Sequence, residues 1–187
     1  MRKLVVSEFV SLDGVFEEPA WTFAFLSDEQ EAFKFAELKA ADALLLGRVT
    51  YEGFAAAWPG MAEQTGEYGA MMNGYPKYVA STTLTTPTWN ASVLRGDLAT
   101  AVAALKDQPG RDLLVFGSGQ LVAGLMAHGL VDEYRLLVFP VVLGRGRRLF
   151  PEGAEATLRL VEARPFGSGV VALTYRPAAA PAAAGPA

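Results

Sequence analysis

Cysteine is absent from this chain of 187 residues, and histidine occurs once, as His128. Without a thiol there is no disulfide, no thiolate metal ligand and no sulfur nucleophile, and the composition fits a reducing compartment. The single imidazole falls in the last turn of a helical stretch beside Gly129, where its cation would complement the helix dipole. It is a poor general base, so Ser-His-Asp and Cys-His mechanisms lack a partner. The His-x-Glu and Pro-Cys-x-x-Cys pattern of zinc deaminases is missing too. Long apolar runs are also lacking: Ser7 and Glu8 break the first one, unlike the core of a signal peptide, and no stretch reaches membrane-spanning length. Positive charge is scarce. Lys and Arg total 16 against 20 Asp and Glu, for a net charge of −4, and no basic run is longer than a pair such as Arg147-Arg148. The field that draws in a polyanion is therefore missing. The expectation is a cytoplasmic protein that acts on a small molecule, with neither nucleic acid nor membrane as partner.

What the chain does contain is a large apolar fraction, 51% against 19% charged, enough to build one α/β domain with a sizeable core. That domain is expected over residues 1–177. The remaining Ala178 to Ala187, AAAPAAAGPA, has repeated Pro and no periodicity, and reads as a disordered tail. Lys3 to Val10 has the apolar, β-branched character of a buried strand ending at the turn Asp13-Gly14. Ser27 and Gln30 form a capping box that opens a helix of about 13 residues. Strands are expected at 43–46, 77–81 and 113–117, and helices after Gly47, over 97–106 and over 119–128. From Glu133 onward three strands follow with no helix between them. This order implies a mainly parallel sheet, covered on both faces, with antiparallel strands at its end.

Two segments run strand, glycine, helix: LLLGRVTYEGF at 44–54 and LLVFGSGQLVAGL at 113–125. Ligands in open α/β sheets bind beyond the carboxyl ends of the strands, where helix N-termini offer backbone amides to anions. Gly117 and Gly119 would let a pyrophosphate approach the backbone, and Arg48 offers a guanidinium. A tight strand-to-helix turn also favours glycine with no ligand at all, and Gly-x-Gly alone is a weak signal.

Taken in order, VSLDG, LLLGRVTYEGF, KYVASTTL and FGSGQLVAGLMAHGLVDEYRLLVFPVVLGRG resemble the dihydrofolate-reductase-like superfamily. Within it they are most similar to the reductase domain of bifunctional riboflavin-biosynthesis deaminase-reductases and their stand-alone relatives. The resemblance spans residues 1 to about 177. It implies a three-layer α/β fold and an NADPH-dependent reductase. Gly47, Arg48, Val49 and Thr50 would lie at the cofactor phosphates, with Arg48 near the 2′-phosphate. Ser81, Thr82 and Thr83 match a second adenosine-phosphate segment, and Gly117, Ser118, Gly119, Gln120 and Leu121 match the pyrophosphate and nicotinamide loop. Relatives often carry Arg where this chain has Thr82, and a hydroxyl neutralises no phosphate charge, so NADH stays open as the alternative nucleotide.

The same resemblance walls the substrate side with Asp13, Gly14, Trp21, Glu31, Phe35 and the segment Pro140 to Gly144, including Leu143. Glu31, Phe35 and Leu38 fall at i, i+4 and i+7. That spacing gives the carboxylate an apolar face and, if it is desolvated, a raised pKa suited to proton donation. Counted back without gaps from Gly47-Arg48, Glu31 coincides with the catalytic acid of dihydrofolate reductases proper. The alternative is an exposed carboxylate paired with Lys34. Asp13 reads equally as a turn residue, Trp21 as a packing aromatic, and Arg145, Arg147 and Arg148 as a phosphate site or a solvated turn. The resulting expectation is a homodimeric reductase, joined through the late strands, that transfers hydride to a C=N or C=O carbon of a small heterocycle. The competing one is a nucleotide-binding module without turnover.

Overall fold

The structure is a computed structural model and describes residues 1–179; the remainder of the expected tail lies outside the described residues. One eight-stranded sheet has the order β4-β3-β2-β5-β1-β6-β8-β7. In chain order these are β1 Leu4–Ser11, β2 Ala41–Gly47, β3 Lys77–Ala80, β4 Ala91–Leu94, β5 Asp112–Phe116, β6 Glu133–Phe139, β7 Leu158–Pro165 and β8 Val171–Pro177. Every pairing from β4 across to β6 is parallel. Only β8 runs counter to its neighbours, pairing antiparallel with both β6 and β7. Ala178 continues this end of the sheet, its amide donating to the Thr157 carbonyl at 2.9 Å, so the chain is still tied down one residue into the expected tail.

Period-two alternation divides the central strands between two cores. Leu4, Val6, Val10 and Val115 pack with Val102, Leu121 and Val122, the side covered by α4 Leu98–Asp107 and α5 Gly119–Ala127. Val5, Leu44, Leu46 and Leu114 pack with Leu38, Tyr51 and Met72, the side covered by α1 Asp28–Ala40, α2 Arg48–Ala57 and α3 Ala62–Gly74. A third cluster, around Phe139, Phe166 and Val170, takes in Phe9, Trp21 and Phe25.

The helices start and stop where local chemistry directs. Ser27 Oγ accepts the Gln30 amide at 3.3 Å, the first half of the expected capping box, and Asp97 caps α4 through the Thr100 amide at 2.9 Å. α5 closes with Gly129 in the left-handed region at φ 63°, its amide donating to Met126 and that of Leu130 to Leu125. Among the described residues no helix is long and apolar enough to cross a membrane.

Candidate functional site

β3, β2 and β5 are neighbours, so the turns that leave them stand in a row at the carboxyl edge of the sheet. The two glycine turns are clasped. Ser118 Oγ accepts the Gly47 amide at 2.7 Å and donates to Thr50 Oγ1 at 2.8 Å. The fit requires glycine on both sides: a Cβ on Gly47 would come within 2.9 Å of Ser118 Oγ, and one on Gly117 within 3.0 Å of Thr50. Ser118 itself is held in the left-handed region, φ 75°, a conformation that costs a non-glycine residue energy and persists only where the surroundings enforce it. Gly47 and Thr50 thus bind the turns to each other. What they leave facing outward is the first turn of α2 and the first turn of α5, neither of which has a side-chain cap; their leading amides are suited to anions.

Arg48 lies on the first turn of α2 and pairs with Glu52 at 2.8 Å at the surface, next to a Val49 that is 71% exposed. In the third turn Ser81 Oγ accepts the amides of Thr83 at 3.1 Å and Leu84 at 2.9 Å, and Thr82 is exposed. Gln120 is exposed on α5, whereas Leu121 is buried in the α4–α5 core. Leu121 therefore supports the turn from beneath and does not face a ligand.

Beyond β1 a cleft of about 370 Å³ is lined by Asp13, Phe16, Gly119, Gln120, Gly144 and Arg145, with Arg147 and Arg148 beside them. Its cations face the same space as the N-terminus of α5. Phe16 lies against Gly119 so closely that a Cβ there would collide with the ring. The segment 140–149 is strapped to the loop after β1: Leu12 donates to Val141 at 2.8 Å, Phe16 to Arg147 at 3.2 Å and Leu149 to Gly14 at 2.9 Å. Gly14 and Gly144 both take positive φ, 82° and 70°. Asp13 closes the strap, accepting from Ser11 Oγ at 2.6 Å, from the Leu143 amide at 3.1 Å and from the Gly144 amide at 2.8 Å. These bonds, the one from Ser11 foremost, hold its carboxyl down at about 2. A carboxylate so stabilised does not donate a proton at neutral pH. Asp13, expected either on the substrate wall or as a turn residue, is here the anchor of the strap.

Glu31 is a correction. The inward stripe of α1 is Gln30, Lys34, Glu37 and Leu38, and Glu31 stands one position, about 100°, away from it and is exposed. The desolvated carboxylate of this helix is instead Glu37, 2% exposed, which accepts from Ser7 Oγ at 2.8 Å and pairs with Lys34 at 2.7 Å. Lys34 Nζ also reaches Ser7 Oγ at 2.5 Å and sits 4.1 Å from the centre of the Phe116 ring. Phe35 packs against Tyr68 at 6.0 Å and under Lys39, so it joins α3 and not the aromatic wall. Trp21 is in that wall, edge-on to Phe139 at 5.4 Å, with its indole N–H on the Glu17 carbonyl at 3.2 Å. Pro140 is exposed at the start of the strap.

Glu8 was not among the residues the sequence singled out, although a carboxylate inside a strand as apolar as LVVSEFV is itself a signal. Burial pushes its carboxyl up to about 8, against the opposing pull of Lys34 and of the nearby Gly117 amide.

Comparison with known proteins settles the lineage of this arrangement. The family model of the RibD C-terminal domain matches residues 2–172. The chain belongs to that family. Among curated relatives in the family's sequence range, the uncharacterized protein YyaP of Bacillus subtilis (strain 168) is 30% identical over 181 residues, covering 93% of this chain and 94% of YyaP. YwjB of the same organism is 29% identical over 173 residues, 90% and 95% of the two chains. Among solved structures, a protein named for riboflavin biosynthesis from Shewanella sp. PV-4 superposes with a TM-score of 0.77 at 21% identity, over 94% of this chain and 99% of that one. A deaminase and 5-amino-6-(5-phosphoribosylamino)uracil reductase from Thermotoga maritima gives 0.67 at 13% identity, over 95% of this chain and 57% of that one. The dihydrofolate-reductase-like fold expected from the sequence is the fold observed, a mainly parallel sheet with its one reversed strand near the C-terminus.

Proposed function

We propose that this RibD C-terminal domain protein is an NADPH-dependent reductase acting on a C=N or C=O carbon of a small heterocycle. The observation that carries the reading is the clasp of Ser118 on Gly47, which aligns the first turns of α2 and α5 so that both address one dinucleotide. The fit is sterically specific, since a side chain at Gly117 would meet Thr50. The amides at the start of α2 and α5 would hold the phosphates, and Arg48 with the hydroxyls of Ser81 to Thr83 would receive the 2′-phosphate. Preference for NADPH over NADH then rests on Arg48, because Thr82 brings no charge.

When bound, reduced nicotinamide supplies the hydride. The chain's own groups position and protect. The strap anchored by Asp13 walls the cleft against solvent. Lys34 Nζ, held by Ser7 Oγ and the Glu37 carboxylate, lies over the Phe116 ring at the end of β5, where it would orient a polar group of the substrate. The solvent-exposed Glu31 takes no part.

Membership of a family named for a riboflavin-pathway reductase, and the Thermotoga likeness, support a phosphoribosylamino-pyrimidine as the first substrate to assay. A cytoplasmic homodimer completes the proposal. Among the described residues the outer edge of β7 has no strand partner, and its Leu160 and Val161 are 48% and 43% exposed, an apolar edge of the kind that association covers; a monomer at micromolar concentration in sedimentation would remove that part. Fluorescence titration with NADPH and NADH tests the core of the reading, followed by nucleotide oxidation with 5-amino-6-(5-phosphoribosylamino)uracil. Binding of neither nucleotide refutes it. Binding without oxidation across a panel of substrates favours the second reading, a nucleotide-binding module without turnover, which the position of Phe16 on Gly119 supports.

A further inference from the structure

β5 ends at Phe116, opposite Ser7 of β1, while β1 continues along β6 to Ser11. The sheet is therefore forked from Glu8 onward, and the side of Glu8 that lacks a strand is faced by the Gly117–Gly119 turn. By alternation Glu8 shares the face of Val6 and Val10, where Leu121, Val122 and Phe16 pack. It is 4% exposed. One carboxyl oxygen has the Gly117 amide for company; Oε1 has no hydrogen-bond partner among the described residues. Leaving a buried carboxyl oxygen unpaired costs free energy, and such an orphan in a native core calls for a missing partner. Phe16, which packs on the same face and on Gly119, covers it from the loop after β1 and not from the sheet.

We propose that Glu8 is a ligand-recognition residue whose unpaired oxygen hydrogen-bonds the amide group of a planar ring lodged in the fork between β1 and the Gly117–Gly119 turn, with Phe16 displaced. A carboxyl group that keeps its proton near neutral pH offers one donor and one acceptor, the complement of an amide's carbonyl and N–H. Two sources carry that chemistry, the carboxamide of a nicotinamide and the ring amide of a pyrimidine substrate. The inference rests on the reading that a dinucleotide spans the two glycine turns.

The test compares the full chain with Glu8→Gln, which retains a donor and an acceptor, and Glu8→Leu, which retains neither. Each is titrated with NADPH and with 2′-phospho-ADP-ribose, the same nucleotide without its nicotinamide. Glu8→Gln is expected to bind NADPH within about threefold of wild type and Glu8→Leu about tenfold more weakly, all three binding 2′-phospho-ADP-ribose alike. A loss seen only when 5,6-diaminouracil is added to the NADP⁺ complex assigns the contact to the substrate ring and equally supports the proposal. Equal affinities throughout, or an equal loss for NADPH and the fragment, overturn it while leaving the reductase reading in place. Wild type that binds neither nucleotide nor fragment overturns both. Should Glu8→Leu fail to fold, infrared difference spectra of wild type against Glu8→Gln decide. A protonated-carboxyl band that shifts with NADPH or 5,6-diaminouracil but not with the fragment is expected; a band unmoved by every ligand overturns the proposal.

Discussion

Ser118 and Gly47, 71 residues apart in sequence, are joined by a 2.7 Å hydrogen bond from the glycine amide to the serine hydroxyl. That bond, continued to Thr50, converts two separate strand-to-helix turns into one rigid edge. Ser118→Ala removes both bonds and leaves the Gly47 amide without its acceptor. The expected loss is about 1–2 kcal/mol in urea unfolding, with weaker binding of nucleotide. Ser118→Gly loses the same bonds but relieves the left-handed backbone at φ 75°, so it should fall short of wild type by roughly 1 kcal/mol less than the alanine variant. Equal losses for the two would show that the backbone there is not held against its preference.

Gly119 and Phe16 are a second test pair. A methyl group at 119 meets the Phe16 ring, so Gly119→Ala should destabilise wild type and be tolerated in a Phe16→Ala background. A coupling energy of about 1 kcal/mol or more is expected from the double-mutant cycle. Additive effects would mean that the ring and the turn are not in contact.

Glu8 makes stability depend on pH in the direction opposite to an ordinary surface carboxylate. Its folded pKa, about 8, lies above the ordinary glutamate value of 4.5, so the unfolded chain gains by ionising first. The sign follows: there is no penalty below the unfolded value, and stability is lost as pH rises from about 4.5 to about 8. At pH 7 the linkage amounts to roughly 3 kcal/mol. Denaturant midpoints should therefore fall between pH 5 and pH 8 more steeply for wild type than for Glu8→Gln. Parallel curves would place Glu8 in a solvated setting.

Asp13 runs the other way. Its carboxyl is held at about 2 in the folded chain against the ordinary aspartate value of 3.8, so its stabilising bonds are complete above about pH 4 and are lost as pH falls toward 2. Hydrogen exchange at the Leu143 and Gly144 amides reads this directly. Protection at both should disappear in Asp13→Ala at neutral pH, while protection in β5 is kept. Unchanged exchange at those amides would show that the strap does not depend on Asp13.

The elements that the sequence displayed best are those whose burial is complete and periodic. β2 and β5 are built on the continuous apolar runs 43–46 and 113–116 and β1 on one interrupted by Ser7 and Glu8, α1 and α4 announce themselves by Ser27 and Asp97, and both glycine turns lie where Gly47 and Gly117 suggest. α3 and β4 were not legible: α3 carries three glycines, with Gly66 itself outside helical geometry, and β4 is four residues long. Their structure comes from packing on the sheet, which no local signal encodes. The edge of the two glycine turns was readable because backbone geometry restricts residue type there. The polar interior was not, since the choice between Glu31 and Glu37 depends on a rotation of α1 by about one residue, and a spacing of i, i+4, i+7 describes several faces of the same helix. Glu8 was visible as the break in the apolar run of β1, but its burial depends on the fork between β1 and β5, which no local signal encodes.

The central claim, that one dinucleotide is gripped by both glycine turns, is met most directly by diffraction from crystals soaked with NADPH. Continuous density is expected from the first turn of α2, at Arg48 to Thr50, to the first turn of α5, at Gly119 and Gln120, with Phe16 moved off Gly119. Density bound to one turn alone, or an empty edge with Phe16 in place at saturating nucleotide, would contradict it.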